Sequence, residues 1–223
     1  MKIKNVILIT SIIHTPNQPL SYWHTRSIYD ANTRFEQTKR TIASIREKMQ
    51  EDYIIILVEC SPLSEEESEY FTKNVDVMLN LYDDIELRQN IHSLSKSLGE
   101  ATMTMEAFKF LKNVEYENLF KVTGRYWLSD RFQYEHFNHD KSVVRFINDD
   151  TTCGCTSLYK LNHKHSILWD IHLQNSLEQL LDCRSYENIF ADFMRQNNPD
   201  EYIAIGHIGI SGTWAPDGTI INE

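Results

Sequence analysis

The first half of the chain alternates apolar runs with stretches of helical period, and no other feature constrains the fold as much. Residues 5–13 are almost continuously apolar and β-branched, the pattern of a strand covered by helices on both faces. Residues 53–60, 75–81 and 118–122 read as further strands. Between them, Phe35, Thr38, Ile42, Ile45 and Met49 recur at helical spacing, as do Leu98, Ala101, Met105, Phe108 and Leu111. Each set marks one face of an amphipathic helix, and residues 64–73 read as a shorter helix. Strand and helix taking turns in this way predict βαβ units and a mostly parallel, Rossmann-like sheet.

Three helix starts are expected from local chemistry. Thr33 with Glu36, Ser64 with Glu67 and Ser97 with Glu100 fit the spacing of a capping box, in which the hydroxyl and the carboxylate each satisfy an orphan backbone amide. Beyond residue 125 the regularity fades. Residues 142–147 and 156–161 read as strands around a polar turn, 167–181 and 186–194 as helices, and 203–210 as a last strand. At 223 residues a single α/β domain is expected. Its regular, alternating half is 1–125, and 126–223 reads as a mixed α+β half.

Composition and missing motifs narrow the function. A formal net charge of -10 argues against a nucleic-acid partner, because a phosphate-tracking surface requires an excess of Lys and Arg. No stretch reaches the ~20 apolar residues of a membrane span. The apolar start has no small-residue cleavage site after it, so a soluble, cytoplasmic chain is expected. Cys60, Cys153, Cys155 and Cys183 show no C-x-x-C spacing and read as reduced thiols. The pairs His163/His165 and His136/His139 lack cysteine partners at zinc-site spacing. Dinucleotide, P-loop, hydrolase-elbow and zincin motifs are all missing.

Ligands of open α/β sheets sit beyond the carboxyl ends of the strands, so the residues that follow strands are the candidates. Glu59 ends the second strand, where a carboxylate can accept from a ribose or base; its plainer reading is a solvated strand end. Lys96 and Gly99 open a helix, where positive charge, free amides and the helix dipole favour a diphosphate. Arg125 follows Gly124 directly after a strand and offers a bidentate guanidinium, or else a structural salt bridge. Arg26 in the loop 11–31 is a similar candidate. Asp149 and Asp150 form either a carboxylate pair for a hard cation or base, or a hairpin turn.

Taken in order, residues 7–11, 34–38, 41–45, 57–61, 96–100, 121–126 and 209–218 resemble those of small GT-A-type glycosyltransferases. They are similar to the sugar transferases of bacterial polysaccharide clusters and large DNA viruses. The resemblance implies a nucleotide-sugar donor over the first strands, with Thr10, Ser11 and Glu59 near the nucleoside and Lys96 near the diphosphate. A glycan or other hydroxyl acceptor would enter over the second half. Glu187, Asp149 and Asp150 are the candidate bases, and His207 is a late phosphate or metal contact. Such enzymes usually hold Mn²⁺ or Mg²⁺ with an Asp-x-Asp pair after the strand at 118–122. Here that place reads Thr123-Gly124-Arg125-Tyr126, which leaves the divalent metal in doubt and offers Arg125 and Lys96 as fixed positive charge. A non-catalytic nucleotide-binding or assembly module is the alternative. A nucleotidyltransferase is disfavoured, since the glycine-rich loop expected after its first strand is missing from residues 14–22.

Overall fold

The computed structural model describes residues 2–223, the side chain of Asp149 excepted. In chain order the first half forms β1 (Ile3–Ser11), α1 (Ala31–Lys48), β2 (Tyr53–Glu59), α2 (Glu65–Asn74), β3 (Val77–Asn80), α3 (Ile85–Ile91), α4 (Lys96–Leu111) and β4 (Tyr116–Thr123). The second half adds β5 (Tyr126–Leu128), β6 (Ser142–Val144), β7 (Leu158–Asn162), α5 (His163–Asn175), α6 (Leu177–Leu181) and α7 (Tyr186–Gln196). Three short strands follow: β8 (Tyr202–Ala204), β9 (Ile210–Thr213) and β10 (Ile220–Asn222).

The central sheet has seven strands in the order β3-β2-β1-β4-β7-β6-β8. β1 to β4 are parallel, and β7 runs against both β4 and β6. The chain is therefore mixed α/β with a mostly parallel, Rossmann-like sheet that continues across residue 125. It steps outward from β1 through β2 to β3, then returns to the other side of β1 with β4. That reversal opens a crevice at the carboxyl ends of β1 and β4. A second sheet, β10-β9-β5, stands beside it.

Both faces of the central sheet are covered, which is why its strands read as unbroken apolar runs. Val6, Leu8, Ile56, Val58 and Leu119 pack under Leu98, Ala101 and Phe108 of α4, Trp169 and Leu173 of α5, and Phe190 of α7. The alternate residues Ile7, Ile9, Ile55, Leu57, Phe120 and Val122 face Phe35, Ile42 and Ile45 of α1, Phe71 of α2, and Ile210 of the small sheet. Among the described residues, no helix is long and apolar enough to cross a membrane.

One of the three expected capping boxes forms, at Ser64 and Glu67. The other two are displaced by a stronger competitor just upstream. Asp30 caps α1, its carboxylate accepting from Thr33 N at 2.8 Å, and Ser95 caps α4, its hydroxyl accepting from Leu98 N at 3.1 Å. Lys96 thereby becomes the first residue inside α4. The Ser97 hydroxyl instead accepts from Tyr186 N at 3.0 Å and ties α4 to α7. The expected strand over 203–210 is also corrected. β8 pairs with β6 in the central sheet, whereas β9 pairs with β5 and β10 in the small one.

Candidate functional site

A cleft opens at the crevice between β1 and β4. Thr10 and Ser11 come from the end of β1, Thr123 and Gly124 from the end of β4, and Lys96 and Gly99 from the first turn of α4. Arg26 reaches in from the loop after β1, Arg34 from α1, and Trp214 with Pro216 from the loop between β9 and β10. Gly124 makes this junction narrow. A Cβ there would stand 2.9 Å from Ser11 Cβ and 3.2 Å from Thr10 O, and Gly124 N donates to Thr10 O at 2.9 Å. The close joint between the two strand ends delivers Arg125 to the crevice.

Positive charge gathers here, and carboxylates act on it without forming an ion pair: Glu187 and Glu100 on Lys96, Glu59 on Arg34. Arg34 is 5% exposed; its Nε donates to Ile12 O at 2.6 Å and its Nη1 to Ser27 Oγ at 3.4 Å. Burial first, and then the charge of Arg125, pull its pKa down to about 9. Arg26 donates from Nη2 to the carbonyls of His92 and Ser93, and burial lowers its pKa as well. The Nε atoms of Arg26 and Arg125 are buried with no hydrogen-bond partner. Burial pulls the half-buried Lys96 ammonium down, but Glu187, Glu100 and Tyr22 outweigh it and hold its pKa above the ordinary lysine value. Arg34, at about 9, and Lys96, above the ordinary lysine value, therefore carry charge at neutral pH. Such a set of open donors at a sheet switch point and a helix N-terminus can receive a polyanion.

Below the cleft, Lys121 of β4 is fully buried and ion-paired with Glu100 of α4. Its ammonium also donates to Thr123 Oγ1 at 2.7 Å and Thr156 O at 2.9 Å. Burial alone would raise the Glu100 pKa, yet Lys121 and Lys96 hold the carboxyl below its usual range. Glu100 is therefore ionised and already matched. A second pocket adjoins the cleft, lined by Tyr22, Glu187 and Tyr186 and sharing Lys96, Glu100 and Trp214 with it. Glu187 Oε1 accepts from Thr156 Oγ1 at 3.3 Å.

Of the residues singled out from the sequence, Thr10, Ser11, Arg26, Lys96, Gly99 and Arg125 line the cleft, and Glu187 lines the adjoining pocket. At Gly99 the constraint comes from within the fold. A Cβ there would stand 2.7 Å from Ile91 O, so its close approach is to the end of α3. Glu59 is corrected more fully. It is buried away from the cleft lining, and its Oε1 accepts from Ile13 N at 3.1 Å, Cys60 N at 3.0 Å and Ser61 Oγ at 2.6 Å, binding the turn after β2 to the chain leaving β1. Asp150 is exposed and closes its own turn, accepting from Thr152 N at 2.9 Å and Thr152 Oγ1 at 2.7 Å. His207 is exposed and outside the lining. The side chain of Asp149 lies outside the described residues.

Arg34 and Trp214 were not singled out as site residues. Arg34 carried a signal, because a cation in the first turns of a helix opposes the helix dipole; on α1 it sits one turn before Thr38 and shares that buried face. Trp214 belongs to the segment 209–218 and carried no chemical signature of its own.

The cleft chemistry does not fit a divalent cation. Hard cations take several oxygen ligands, chiefly carboxylates, and the one carboxylate in the main cleft lining, Glu100, is matched by Lys121. Among the described residues, no group of three or more His, Cys, Asp or Glu side chains is arranged to hold a metal ion.

No protein-family model matches the chain, and no curated protein matches it. Among solved structures, CTP:phosphocholine cytidylyltransferase from Streptococcus pneumoniae is similar at 13% identity and a TM-score of 0.49, over 95% of this chain and 93% of that one. A likeness at that level carries no inference about what this chain binds.

Proposed function

We propose that the protein is a glycosyltransferase that moves a sugar from a nucleotide-sugar donor to a hydroxyl acceptor. The observation that carries this reading is the convergence of Arg26, Arg34, Lys96 and Arg125 on one cleft at the switch point of the sheet. A nucleotide sugar presents a diphosphate to such a cleft and leaves as a nucleoside diphosphate. Fixed cations aimed at that developing charge lower the barrier without reorganising during the reaction.

Lys96 and Trp214 line both the cleft and the adjoining pocket, so the sugar belongs at their junction, with the indole offering it a flat apolar face. Glu187 stands on the pocket side. There it takes the proton of the acceptor hydroxyl as that oxygen bonds to the anomeric carbon. The bond from the anomeric carbon to the phosphate oxygen breaks, and its electron pair leaves with the diphosphate.

A thermal-shift panel of UDP-, GDP-, CMP- and dTDP-sugars, each with and without Mn²⁺, tests the reading. At least one donor is expected to raise the melting temperature, and no response to any of them removes the proposal. Glu187→Gln is expected to keep donor binding and lose about 10²- to 10⁴-fold in transfer, the usual contribution of a general base. A donor that binds but is never turned over across an acceptor screen assigns the chain instead to a non-catalytic nucleotide-binding module.

A further inference from the structure

The open guanidinium groups of the cleft go further than a general preference for anions. We infer that Arg34, Arg125 and Arg26 form a seat for a metal-free diphosphate, with Arg34 as its buried floor. This takes from the reading above only that the cleft receives a diphosphate, and it adds both a binding residue and the ionic form of the ligand.

Three observations carry it. The first is the set of unused donors. Arg125 Nε and Arg26 Nε are enclosed by protein and donate to nothing, and Arg34, using Nε and Nη1, has Nη2 left without a partner among the described residues. Buried polar groups are almost always satisfied; the two sealed Nε atoms mark guanidinium groups that the protein itself does not complete, and the remaining donors of these cleft-lining residues are left for an acceptor-rich ligand. The second is charge. Burial and the neighbouring charge of Arg125 lower the pKa of Arg34, and Glu59 only partly opposes them. Like charges crowded out of water cost free energy that a bound anion recovers.

The third is the place of Arg125. It follows Gly124, whose backbone is clamped to Thr10 by a 2.9 Å hydrogen bond, and the Thr38 hydroxyl donates to Gly124 O at 3.0 Å. The guanidinium is thus mounted on the rigid joint of β1 and β4, where the resembled enzymes hold a metal with a pair of aspartates. A divalent cation placed there would face cations on several sides. The arginines supply the same countercharge from the protein itself, with planar forks suited to phosphate oxygens.

The test is calorimetric titration of inorganic diphosphate, and of the nucleoside diphosphates, into the full chain in excess EDTA and again with Mg²⁺ or Mn²⁺. Binding in EDTA is expected to be at least as tight as with metal, because a chelating cation competes with the arginines for the same oxygens. Arg34→Met and Arg125→Gln are each expected to weaken it about 10- to 100-fold, the worth of a charged hydrogen bond. Arg34→Lys, which keeps the charge but loses the fork, should recover only part. Because Arg34 also holds Ile12 O, the melting temperature and circular dichroism of each variant are measured without ligand; Arg125→Gln, which loses no bond within the protein, serves if Arg34→Met does not fold. Binding that disappears in EDTA overturns the inference, as does wild-type affinity in both the Arg34 and Arg125 variants. The two readings fail separately. Nucleotide sugars that bind only with Mn²⁺ leave glycosyl transfer standing without the arginine seat, whereas metal-free diphosphate binding with no response to any nucleotide sugar leaves the seat standing without glycosyl transfer.

Discussion

The buried cations of this protein fall into two groups that differ in what completes them. Lys121 and Lys160 lie in the central sheet with no exposed surface, and their ammonium groups are occupied from within. Lys121 meets Glu100, Thr123 and the Thr156 carbonyl, and Lys160 donates to the carbonyls of His139 and Lys141. Arg34 and Arg125, also buried but 5% and 9% exposed beside the end of the same sheet, keep open donors. Helix starts divide in the same way. α2 opens with Glu65, Glu66 and Glu67, as the dipole favours, whereas α1 and α4, which point at the cleft, have no acid in the first turn. A cation whose bonds close within the chain serves the fold. One whose bonds stay open raises the potential of the cleft against a net charge of -10, and it waits for a ligand.

The strongest test of this division is Lys121→Met. It leaves the buried Glu100 carboxylate without its main partner, and breaking a buried pair from one side costs about 3–5 kcal/mol. Denaturant unfolding should show a loss of that size. If stability instead stays level, Lys96 has taken over Glu100, and the two groups are less distinct than the geometry makes them.

Gly124→Ala is expected to sit between the groups. A methyl at 2.9 Å from Ser11 Cβ and 3.2 Å from Thr10 O must push β1 and β4 apart, and overpacking of this kind costs about 1–3 kcal/mol. Because Arg125 is carried by that joint, diphosphate affinity should fall in the same variant. A stable variant with unchanged affinity would show that the joint does not position Arg125.

How much of this was legible follows from where each signal lives. Parallel strands buried on both faces leave long apolar runs, so β1, β2 and β4 and the helices α1, α2 and α4 between them were readable, and with them the strand ends that collect Thr10, Ser11 and Arg125. β5, β8 and β10 have three residues each, too few for a period. Their pairing is also distant, with Val143 opposite Ile203. Helix caps were ambiguous because several polar residues competed within three positions. Arg34 stayed hidden for another reason: its spacing matches a buried helix face, and only its three-dimensional neighbours show that this face ends in a cleft. Glu59 and Asp150 looked functional because a carboxylate at a strand end or turn reads the same whether it holds a ligand or its own backbone.

A smaller effect comes from acid. Burial is the leading cause that lowers the pKa of His92, His139, His165 and His172 in the folded chain. Below the ordinary histidine pKa of ~6.5, the unfolded chain therefore binds more protons than the folded one. Stability is fully present above that pH and is lost as pH falls through it. His92 belongs to both regions, since its carbonyl accepts from Arg26 while its Nε2 meets Cys60 O at 3.2 Å. Melting temperatures measured downward from neutral pH should decline, and His165→Gln should flatten part of the decline. A flat profile would mean that these histidines are not held neutral by the fold.

The smallest effect on stability is expected for Arg125→Gln, and its smallness is the point. The guanidinium makes no hydrogen bond within the described protein, its Nε is already unsatisfied and it stands 5.8 Å from the Tyr126 ring centroid, so the loss should stay below about 1 kcal/mol, the centre of the range for single substitutions. Removing one of two neighbouring positive charges also relieves Arg34, whose pKa should rise. Stability measured above pH 9 would then depend less on pH than in the wild type, because an arginine suppressed to about 9 begins to lose its proton there while the unfolded chain keeps it. In that range the folded state binds fewer protons, so wild-type stability rises with pH. A loss of more than ~1 kcal/mol in Arg125→Gln, a change set in the class of ordinary destabilising mutations, would place Arg125 with Lys121 among the cations that serve the fold.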